Sequence, residues 1–245
     1  MKFGIIGNPV SHSQSPLLFA EAFPGSRHTY DRIEEPDFEK AYDIFLKEYD
    51  AVNVTMPFKE LAYYKSRPGS DAVQAIKAVN ILKKSDGQVL GYNSDYLGVR
   101  EIFSKEKLNG GRTLVVGCGG AAKAAAVAAA DAGCDVTMTN RSFEKCHAFV
   151  RHCDRDLNLS EIDDVRIEDF DSVIYAVPVA IGPIAQWNFA GKTVLEANYA
   201  NPALRQKTLS EGGNYLEGLS WLKAQADAGF KIFLPDEEPQ KRLYL

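Results

Sequence analysis

The sequence lacks long apolar runs, and it lacks an excess of positive charge. No apolar stretch reaches the roughly 18 residues that a membrane-spanning helix needs, so no transmembrane segment is expected. The formal net charge of -5 at pH 7 argues against a general binder of nucleic acid or of anionic membranes. The apolar run at residues 1–7 lacks the longer hydrophobic core of a secretory signal. We therefore expect a cytoplasmic protein without a nucleic-acid or membrane partner.

Cysteine is also scarce. The 245 residues contain 4 cysteines, too few for a disulfide framework in a chain of this length, so we expect reduced thiols. The pairs Cys146-His147 and His152-Cys153 raise the question of a metal site. A tetrahedral site needs four converging ligands, but on a helix His147 and His152 fall on different faces. We expect no metal here and predict an amphipathic helix with two buried thiols.

Strand and helix signals alternate along the chain. The first hundred residues predict strands at 2–7, 28–33 and 51–55, helices that begin near Ser15 and Pro36, and a hairpin around Asp86-Gly87. Asn109-Gly110-Gly111 is the best linker candidate. The pattern then restarts as a βαβ unit with a strand at 113–116, a helix at 121–132 and a strand at 135–139. Further strands at 172–176 and 193–197 and a helix from about 220 to 230 complete two α/β domains.

A glycine-rich turn opens the βαβ unit. Residues 117–122, Gly-Cys-Gly-Gly-Ala-Ala, fit the pattern G-x-G-x-x-A between a buried strand and a helix. In such a turn Gly117 permits the tight bend, Gly119 lets a pyrophosphate approach the backbone, and Ala122 allows close helix packing. The helix start supplies N–H groups for the phosphates. The alternative is a glycine turn that binds no ligand.

The end of the next strand indicates which dinucleotide binds. An NAD site usually has an acidic residue there that binds the ribose 2′-hydroxyl, but this strand is followed by Asn140-Arg141-Ser142. Arg141, with Lys145 one helical turn later, offers positive charge and a planar donor group to a 2′-phosphate. This arrangement favours NADP, and the alternative is two solvated charges at a helix start.

Polar residues gather near strand ends in the first domain. The strand at 51–55 stops at Pro57, so Lys59 lies just past a strand end, where open α/β sheets bind ligands. Ser15 before Pro16 also suits a helix N-cap, and so does Asp95. Each residue has an ordinary explanation by itself. Together they would form a polar pocket for several hydroxyls and a carboxylate, made of Ser13, Ser15, Thr55, Lys59, Asn80 and Asp95.

In order and spacing, these motifs resemble the NADP-dependent shikimate dehydrogenase family from Phe3 to about Leu234. The residues that carry the resemblance are Gly7-Asn8-Pro9, Ser13-Gln14-Ser15-Pro16, Asn53 to Lys59, Ala78-Val79-Asn80, Tyr92-Asn93-Ser94-Asp95, Gly117 to Ala121, Asn140-Arg141-Ser142, Gly218-Leu219 and Gln225.

The resemblance implies the organisation of the chain. It implies an α/β fold of two domains, with a substrate domain at residues 1–108, a Rossmann-type NADP-binding domain at 109–218 and a cleft between them. The segment 219–245 is expected to be helical and to pack back on the first domain. Family members occur as monomers and homodimers, and both states stay open.

The resemblance also implies roles for residues. Lys59 and Asp95 match the catalytic pair, and Ser13 and Ser15 match the serines that hold the substrate carboxylate. The other substrate-binding positions are Thr55, Asn80, Tyr199 and Gln225, together with Lys59 and Asp95 themselves. The cofactor positions are Gly117, Gly119, Gly120, Ala121, Asn140, Arg141, Ser142, Lys145, Ala197, Gly218 and, weakly, Asp71.

The chain departs from the family pattern in places. Val177 stands where the family usually has a threonine, so one hydroxyl near the cofactor is lost. Trp221 stands where methionine is common next to the nicotinamide. Glu196-Ala197-Asn198-Tyr199 replaces the usual Asp-Met-x-Tyr, and the tail is short. None of these changes removes the catalytic pair.

The reaction implied by the resemblance is the reversible, NADPH-dependent reduction of 3-dehydroshikimate to shikimate, in the biosynthesis of chorismate and aromatic amino acids. Lys59 either passes a proton to the reacting oxygen or acts as a fixed cation, and both roles stay open. One alternative is a paralogue that uses quinate or an amino analogue, often with NAD; Arg141 and the serine pair argue against it. The other is a sensor that binds NADP without turnover, against which Lys59 and Asp95 argue.

Overall fold

The computed structural model describes residues 1–244 and divides the chain into two compact units. The first unit contains Met1–Ser94 and the residues from Lys223 on, and the second contains Asp95–Leu222. This division falls inside a helix, whereas the sequence-based boundary falls after Leu108. The domain boundaries drawn from the sequence stay predictions.

The first unit is built on one six-stranded sheet. Its strands are β1 (Lys2–Gly7), β2 (Thr29–Glu34), β3 (Ala51–Val54), β4 (Arg67–Pro68), β5 (Ile81–Ser85) and β6 (Gln88–Tyr92). Its helices are α1 (Ser15–Ala22), α2 (Phe38–Glu48), α3 (Lys59–Tyr64) and α4 (Asp71–Ile76). The strand order is β2-β1-β3-β5-β6-β4. β1 is parallel to β2 and β3, while β5 is antiparallel to β3 and β6.

The strand register gathers several strand ends at one edge of this sheet. Ile6 pairs with Val54, Asn53 pairs with Ile81, and Ile81 pairs with Tyr92. The carboxyl ends of β1, β3 and β6 therefore lie beside the start of β5. We call this side the polar edge of the first sheet, because the segments that follow these ends carry the polar residues singled out above.

A continuous apolar cluster supports the sheet of the first unit. α2 begins at the N-cap Asp37, whose carboxylate accepts hydrogen bonds from the N–H groups of Glu39 and Lys40. The helix buries Phe38, Ala41 and Phe45 among side chains of β1, β3 and β5, as its spacing predicts. Leu46 is 39% exposed, because it lies just beyond the edge of the buried stripe.

The C-terminal helix α9 (Gly218–Phe233) contributes its last turns to the first unit. The ring of Phe233 stacks on Phe3 with centroids 4.8 Å apart, and Phe230 meets Phe19 edge-on at 5.4 Å. The Lys83 ammonium donates to the carbonyl of Ile232 at 2.6 Å. These contacts pack the last turns of α9 against β1, α1 and β5.

The second unit has a six-stranded sheet in which all pairs are parallel. Its strands are β7 (Arg112–Val116), β8 (Asp135–Thr139), β9 (Asn158–Leu159), β10 (Ser172–Tyr175), β11 (Thr193–Glu196) and β12 (Asn214–Leu216). The helices are α5 (Ser94–Lys105), α6 (Gly120–Asp131), α7 (Phe143–His152) and α8 (Arg205–Ser210), with short 3-10 segments at Ile162–Asp164, Ile167–Asp169 and Gly182–Gln186. The order β9-β8-β7-β10-β11-β12 is that of the doubly wound dinucleotide-binding fold.

Small side chains allow close packing in this unit. α6 buries Ala122, Ala125, Ala126 and Ala129 completely, and short side chains let a helix axis approach a sheet closely. A second cluster on the other side contains Tyr175, Trp187 and Phe189. The predicted α/β class with a Rossmann-type second domain is therefore confirmed.

Among residues 1–244, no helix is long and apolar enough to cross a membrane. Within the same residues, no group of three or more histidine, cysteine or acidic side chains is arranged to hold a metal ion.

Candidate active site

The serine pair lies between β1 and α1, at the polar edge of the first sheet. Ser15 is the first residue of α1, and Gln14 precedes it as the N-cap without a side-chain capping bond. The prediction that Ser15 caps the helix is therefore wrong. The Ser13 hydroxyl instead donates to the Ser15 hydroxyl at 3.3 Å and accepts from the Ser15 N–H at 3.3 Å. Both serines are half-buried, so their hydroxyls remain accessible at a helix start, which attracts anions.

Tyr30 on β2 supports the polar edge through a hydrogen bond to Asn53. Its hydroxyl donates to the Asn53 side-chain oxygen at 2.5 Å. The residue is half-buried by surface area, but its phenol group is enclosed, and that burial raises the pKa of Tyr30. Tyr30 therefore stays neutral and fixes the Asn53 side chain. Sequence reasoning missed it, because a tyrosine in a strand carries no distinguishing signal.

The segment from Asn53 to Lys59 follows β3 into α3. Thr55 donates its N–H to the carbonyl of Ile6 at 2.9 Å, which ties it to the end of β1. The peptide bond between Met56 and Pro57 is cis. Lys59 is the first residue of α3 and is half-buried, and its carbonyl accepts from the N–H of Val79 at 2.9 Å. Lys59 therefore begins a helix at the polar edge and does not lie on an exposed turn.

A chain of buried hydrogen bonds crosses the polar edge. Asn80 is 3% exposed, and its amide donates to the Ser94 hydroxyl at 3.0 Å. Its side-chain oxygen accepts from the Ser94 N–H at 2.7 Å. The Ser94 hydroxyl in turn donates to the side-chain oxygen of Gln225 at 2.9 Å. Two predicted substrate residues, Asn80 just before β5 and Gln225 on α9, are thus joined through Ser94, a residue of the family motif for which the resemblance implies no role.

Five predicted substrate residues of the first unit share this edge: Ser13, Ser15, Thr55, Asn80 and Gln225. Lys59 starts the helix beside them. Asp71 also belongs to the first unit, where it is exposed in the first turn of α4 after the N-cap Ser70. An acidic residue is favourable at that position for helix stability alone, so its cofactor role stays a prediction.

Asp95 opens the second unit. It is 9% exposed in the first turn of α5, and its carbonyl accepts from the indole N–H of Trp221 at 3.0 Å. Trp221 itself is 4% exposed. Its place beside the nicotinamide stays a prediction, and its indole N–H holds the backbone of the predicted catalytic aspartate.

The glycine-rich turn follows β7 in the second unit. Gly117 has φ of 124°, and a Cβ there would lie 3.1 Å from both the Ala176 carbonyl and the Val177 side chain. Gly119 is the N-cap of α6, and a Cβ there would meet nothing within 4 Å. Gly117 is thus required by the backbone, whereas Gly119 leaves open space above the free N–H groups of the helix start. That open space suits a pyrophosphate.

The positively charged segment lies next to this turn. Val116 pairs with Thr139, and the Gly117 N–H donates to the Thr139 carbonyl at 2.8 Å, so the ends of β7 and β8 are adjacent. Arg141, Ser142 and Lys145 are all exposed there. The Asn140 amide donates to the Ser142 carbonyl at 3.2 Å and shapes the loop. No acidic residue stands between Thr139 and Phe143, which fits a 2′-phosphate and not a 2′-hydroxyl.

The remaining predicted residues lie in the loop after β11, which contains Ala197 and Tyr199, and at the start of α9, which begins with Gly218. Glu196 is fully buried and accepts from the N–H groups of Ala203 and Leu204 and from the Tyr215 hydroxyl. A Cβ on Gly218 would lie 2.7 Å from the Ala197 carbonyl, so the two predicted cofactor positions touch through their backbones. Tyr199 is 36% exposed, and partial burial raises its pKa.

The departure at Val177 has a structural consequence. Its side chain lies against the tight turn at Gly117 and takes part in the apolar cluster of the second unit. It packs the turn where a threonine would offer a hydroxyl.

The fold and these residues define a class: an oxidoreductase with a Rossmann-type dinucleotide-binding unit and a second α/β unit with a polar edge. Two family models match the chain. One describes the shikimate dehydrogenase substrate binding domain and matches residues 5–82. The other describes shikimate / quinate 5-dehydrogenase and matches residues 99–185.

Individual relatives agree with these models. A shikimate dehydrogenase (NADP(+)) of Ignicoccus hospitalis is 31% identical, over 96% of this chain and 93% of that protein. The crystal structure of shikimate dehydrogenase from Aquifex aeolicus is 27% identical with a TM-score of 0.87, over 98% of this chain and 94% of that one. A shikimate dehydrogenase in complex with NADP+ is 27% identical with a TM-score of 0.86, over 98% and 91%. The chain belongs to the shikimate dehydrogenase family.

Proposed function

We propose that this protein is an NADP-dependent shikimate dehydrogenase, which reversibly reduces 3-dehydroshikimate to shikimate in the biosynthesis of chorismate and aromatic amino acids. The observation that carries the proposal is the match to an NADP(+) shikimate dehydrogenase along 96% of the chain. The polar edge of the first unit and the glycine-rich turn of the second supply the two binding functions that this reaction needs.

The substrate is bound through the first unit. The hydroxyls of Ser13 and Ser15, which are hydrogen-bonded to each other at the start of α1, receive the carboxylate. Thr55, Asn80 and Gln225 provide hydrogen-bonding groups for the ring hydroxyls. Because Asn80 and Gln225 are held through Ser94, their donors and acceptors are oriented before the substrate arrives, which reduces the entropy lost on binding.

The cofactor is bound through the second unit. The backbone of Gly117, Gly119, Gly120 and Ala121 receives the pyrophosphate, and Asn140, Arg141, Ser142 and Lys145 receive the 2′-phosphate. NADPH supplies the hydride, and NADP+ accepts it in the reverse direction. Ala197 and Gly218 are proposed to meet the nicotinamide end, and Tyr199 the substrate carboxylate.

Lys59 and Asp95 are proposed as the catalytic pair. Lys59 either donates the proton that the reduced carbonyl oxygen needs or stabilises the negative charge that develops there. Asp95 orients the lysine, and the Trp221 indole holds the backbone of Asp95. A pH–rate profile without a limb that depends on Lys59 would leave the fixed-cation role.

The wider organisation belongs to the same proposal. We propose a substrate domain at residues 1–108, an NADP-binding domain at 109–218 and a C-terminal segment at 219–245. A cytoplasmic location and a monomeric or homodimeric state are proposed with it.

One assay tests the function. The absorbance of reduced nicotinamide is followed with NADP+ and shikimate, with NADP+ and quinate, and with NAD+ and shikimate. The proposal expects the highest kcat/KM for NADP+ with shikimate. A preference for quinate or for NAD+ would indicate the paralogue, and no absorbance change with any pair would indicate a binding protein without turnover.

A further inference from the structure

Two cysteine thiols meet at the glycine-rich turn. Cys118 is the second residue of the turn, and Cys146 lies on α7, which follows the 2′-phosphate segment. Cys118 has the largest effect on the pKa of the Cys146 thiol, so the two side chains are neighbours. The Cys146 sulfur also lies 3.9 Å from the carbonyl oxygen of Gly117, the residue before Cys118. The turn and α7 are therefore in contact through sulfur.

The two thiols differ in access to solvent. Cys118 is half-buried and Cys146 is fully buried. The neighbouring Cys118 thiol and burial together raise the pKa of the Cys146 thiol. An external reagent therefore reaches Cys118 first, and Cys146 reacts only with a group already attached to Cys118.

The other two cysteines lie in different surroundings. The Cys134 thiol is buried and donates to the carbonyl of Leu108 at 3.3 Å. Cys153 follows α7 as its C-cap, and burial raises the pKa of its thiol. Neither belongs to the glycine-rich turn, so both provide internal controls.

We propose that Cys118 and Cys146 form a disulfide when a small-molecule disulfide oxidises the protein, and that this bond prevents NADP binding at the glycine-rich turn. The second half of this statement rests on the proposed function, because it requires the cofactor to bind at Gly117–Ala121. The pair then acts as a reversible redox modification site within the cofactor site.

The exchange balances without a further reactant. The Cys118 thiol loses its proton, and its sulfur attacks one sulfur of the small disulfide, which releases one small thiolate. Cys146 then loses its proton and attacks the Cys118 sulfur, which forms the protein disulfide and releases the second small thiolate. The two protons go to the two released thiolates, so the small disulfide is reduced by the two electrons that the protein thiols lose.

The bond would displace the turn. Two neighbouring sulfur atoms must approach to about 2.05 Å to become a disulfide, so Cys118 has to move toward α7. Gly117 cannot follow freely, because it already lies against Ala176 and Val177. The movement therefore falls on Cys118 and Gly119, whose backbone N–H groups are proposed to meet the pyrophosphate. Loss of one charge-assisted hydrogen bond corresponds to about tenfold in affinity.

The experiment uses the full-length protein and glutathione disulfide as the probe. After treatment, peptides are mapped by mass spectrometry without reduction, and NADP+ affinity is measured by calorimetry before treatment, after it, and after reduction with dithiothreitol. We expect a linked peptide pair that contains Cys118 and Cys146, with two hydrogens lost. We expect NADP+ affinity to fall at least about tenfold and to return on reduction.

Variants identify the pair. Cys146→Ser should give no linked pair and should retain one glutathione on Cys118, because the thiol that displaces it is missing. Cys118→Ser should give no linked pair and the same NADP+ affinity before and after glutathione disulfide, each variant being compared with its own untreated form. The second variant replaces a half-buried side chain, so it keeps the test available if the buried substitution does not fold. Cys153→Ser should respond as the wild type does.

Three results for the wild-type protein would overturn the proposal: no linked pair, glutathione retained on Cys118, or a linked pair with unchanged NADP+ affinity. NADP+ binding by the untreated protein distinguishes these results from a failure of the proposed function. In that case the untreated wild-type protein does not bind NADP+, which removes the cofactor half of the proposal, while peptide mapping still decides whether the bond forms.

Discussion

Replacement of Ser94 by alanine tests the link between the buried hydrogen bonds of the first unit and substrate binding. The Ser94 hydroxyl accepts from the Asn80 amide at 3.0 Å and donates to Gln225 at 2.9 Å. The residue is fully buried. Ser94→Ala therefore removes one side-chain acceptor from Asn80 and one donor from Gln225, and water cannot replace either without entering the packed region.

The expected loss of stability follows from these two bonds. Each buried polar group that loses a partner destabilises the fold by about 1–3 kcal/mol. The two effects share one hydroxyl and are not fully additive, so we expect about 2–4 kcal/mol in total. The hydrogen bond from the Ser94 N–H to Asn80 remains at 2.7 Å, which keeps the backbone of the site in place.

The expected effect on catalysis is on substrate affinity. Asn80 and Gln225 lose their fixed orientation, so the KM for shikimate should rise about tenfold, which corresponds to about 1.4 kcal/mol, while kcat changes by less than about threefold. The assays are urea unfolding and steady-state kinetics with NADP+. Ser104→Ala, at an exposed position of α5, is the matched control and should change neither quantity.

Two results would refute this reasoning in different ways. A loss of stability with an unchanged KM would mean that Asn80 and Gln225 do not hold the substrate. An unchanged stability would mean that the hydrogen bonds around Ser94 do not contribute as the geometry indicates.

Three further predictions concern the cofactor site. Arg141→Ala should raise the KM for NADP+ about 10–100-fold and leave the KM for NAD+ within about twofold, because only the 2′-phosphate loses a partner. Arg151→Ala removes another exposed arginine and is the control. Equal losses of affinity for both cofactors in Arg141→Ala would contradict the assignment. Gly117→Ala should lower the free energy of unfolding by about 1–3 kcal/mol because φ is 124°. Gly119→Ala should leave the free energy of unfolding within about 0.5 kcal/mol of the wild type. It should weaken NADP+ binding, since the new methyl group would occupy the open space above the helix start. A destabilised Gly119→Ala protein with normal NADP+ affinity would contradict this prediction.

The regular elements of the second unit were predictable because local signals and tertiary packing agree there. β8 is confirmed at Asp135–Thr139, and α6 begins within a residue of its predicted start. The hairpin was predictable for a similar reason, since Asp86 and Gly87 both have positive φ, as the turn requires. Short strands were not predictable. β4, β9 and β12 are too brief to show an alternation of apolar and polar side chains, and their pairing depends on strands distant in sequence.

The site was predictable in part. The resemblance identified the residues whose positions at the polar edge the structure now gives, such as Asn80 and Gln225. It could not reveal that Ser94 joins them or that Tyr30 binds Asn53, because these bonds connect elements far apart in the chain. The contact between Cys118 and Cys146 was hidden for the same reason, since the spacing of two cysteines does not predict that their thiols meet.

The most direct test of the account compares shikimate oxidation by the wild-type protein with that by Lys59→Ala, with NADP+ binding measured on both. Lys47→Ala, at an exposed position of α2, controls for the loss of one positive charge. The account predicts NADP+-dependent turnover by the wild type and by Lys47→Ala, and a kcat at least about 100-fold lower for Lys59→Ala with NADP+ affinity unchanged. Turnover by Lys59→Ala close to that of the wild type would contradict the central claim that this lysine carries the chemistry.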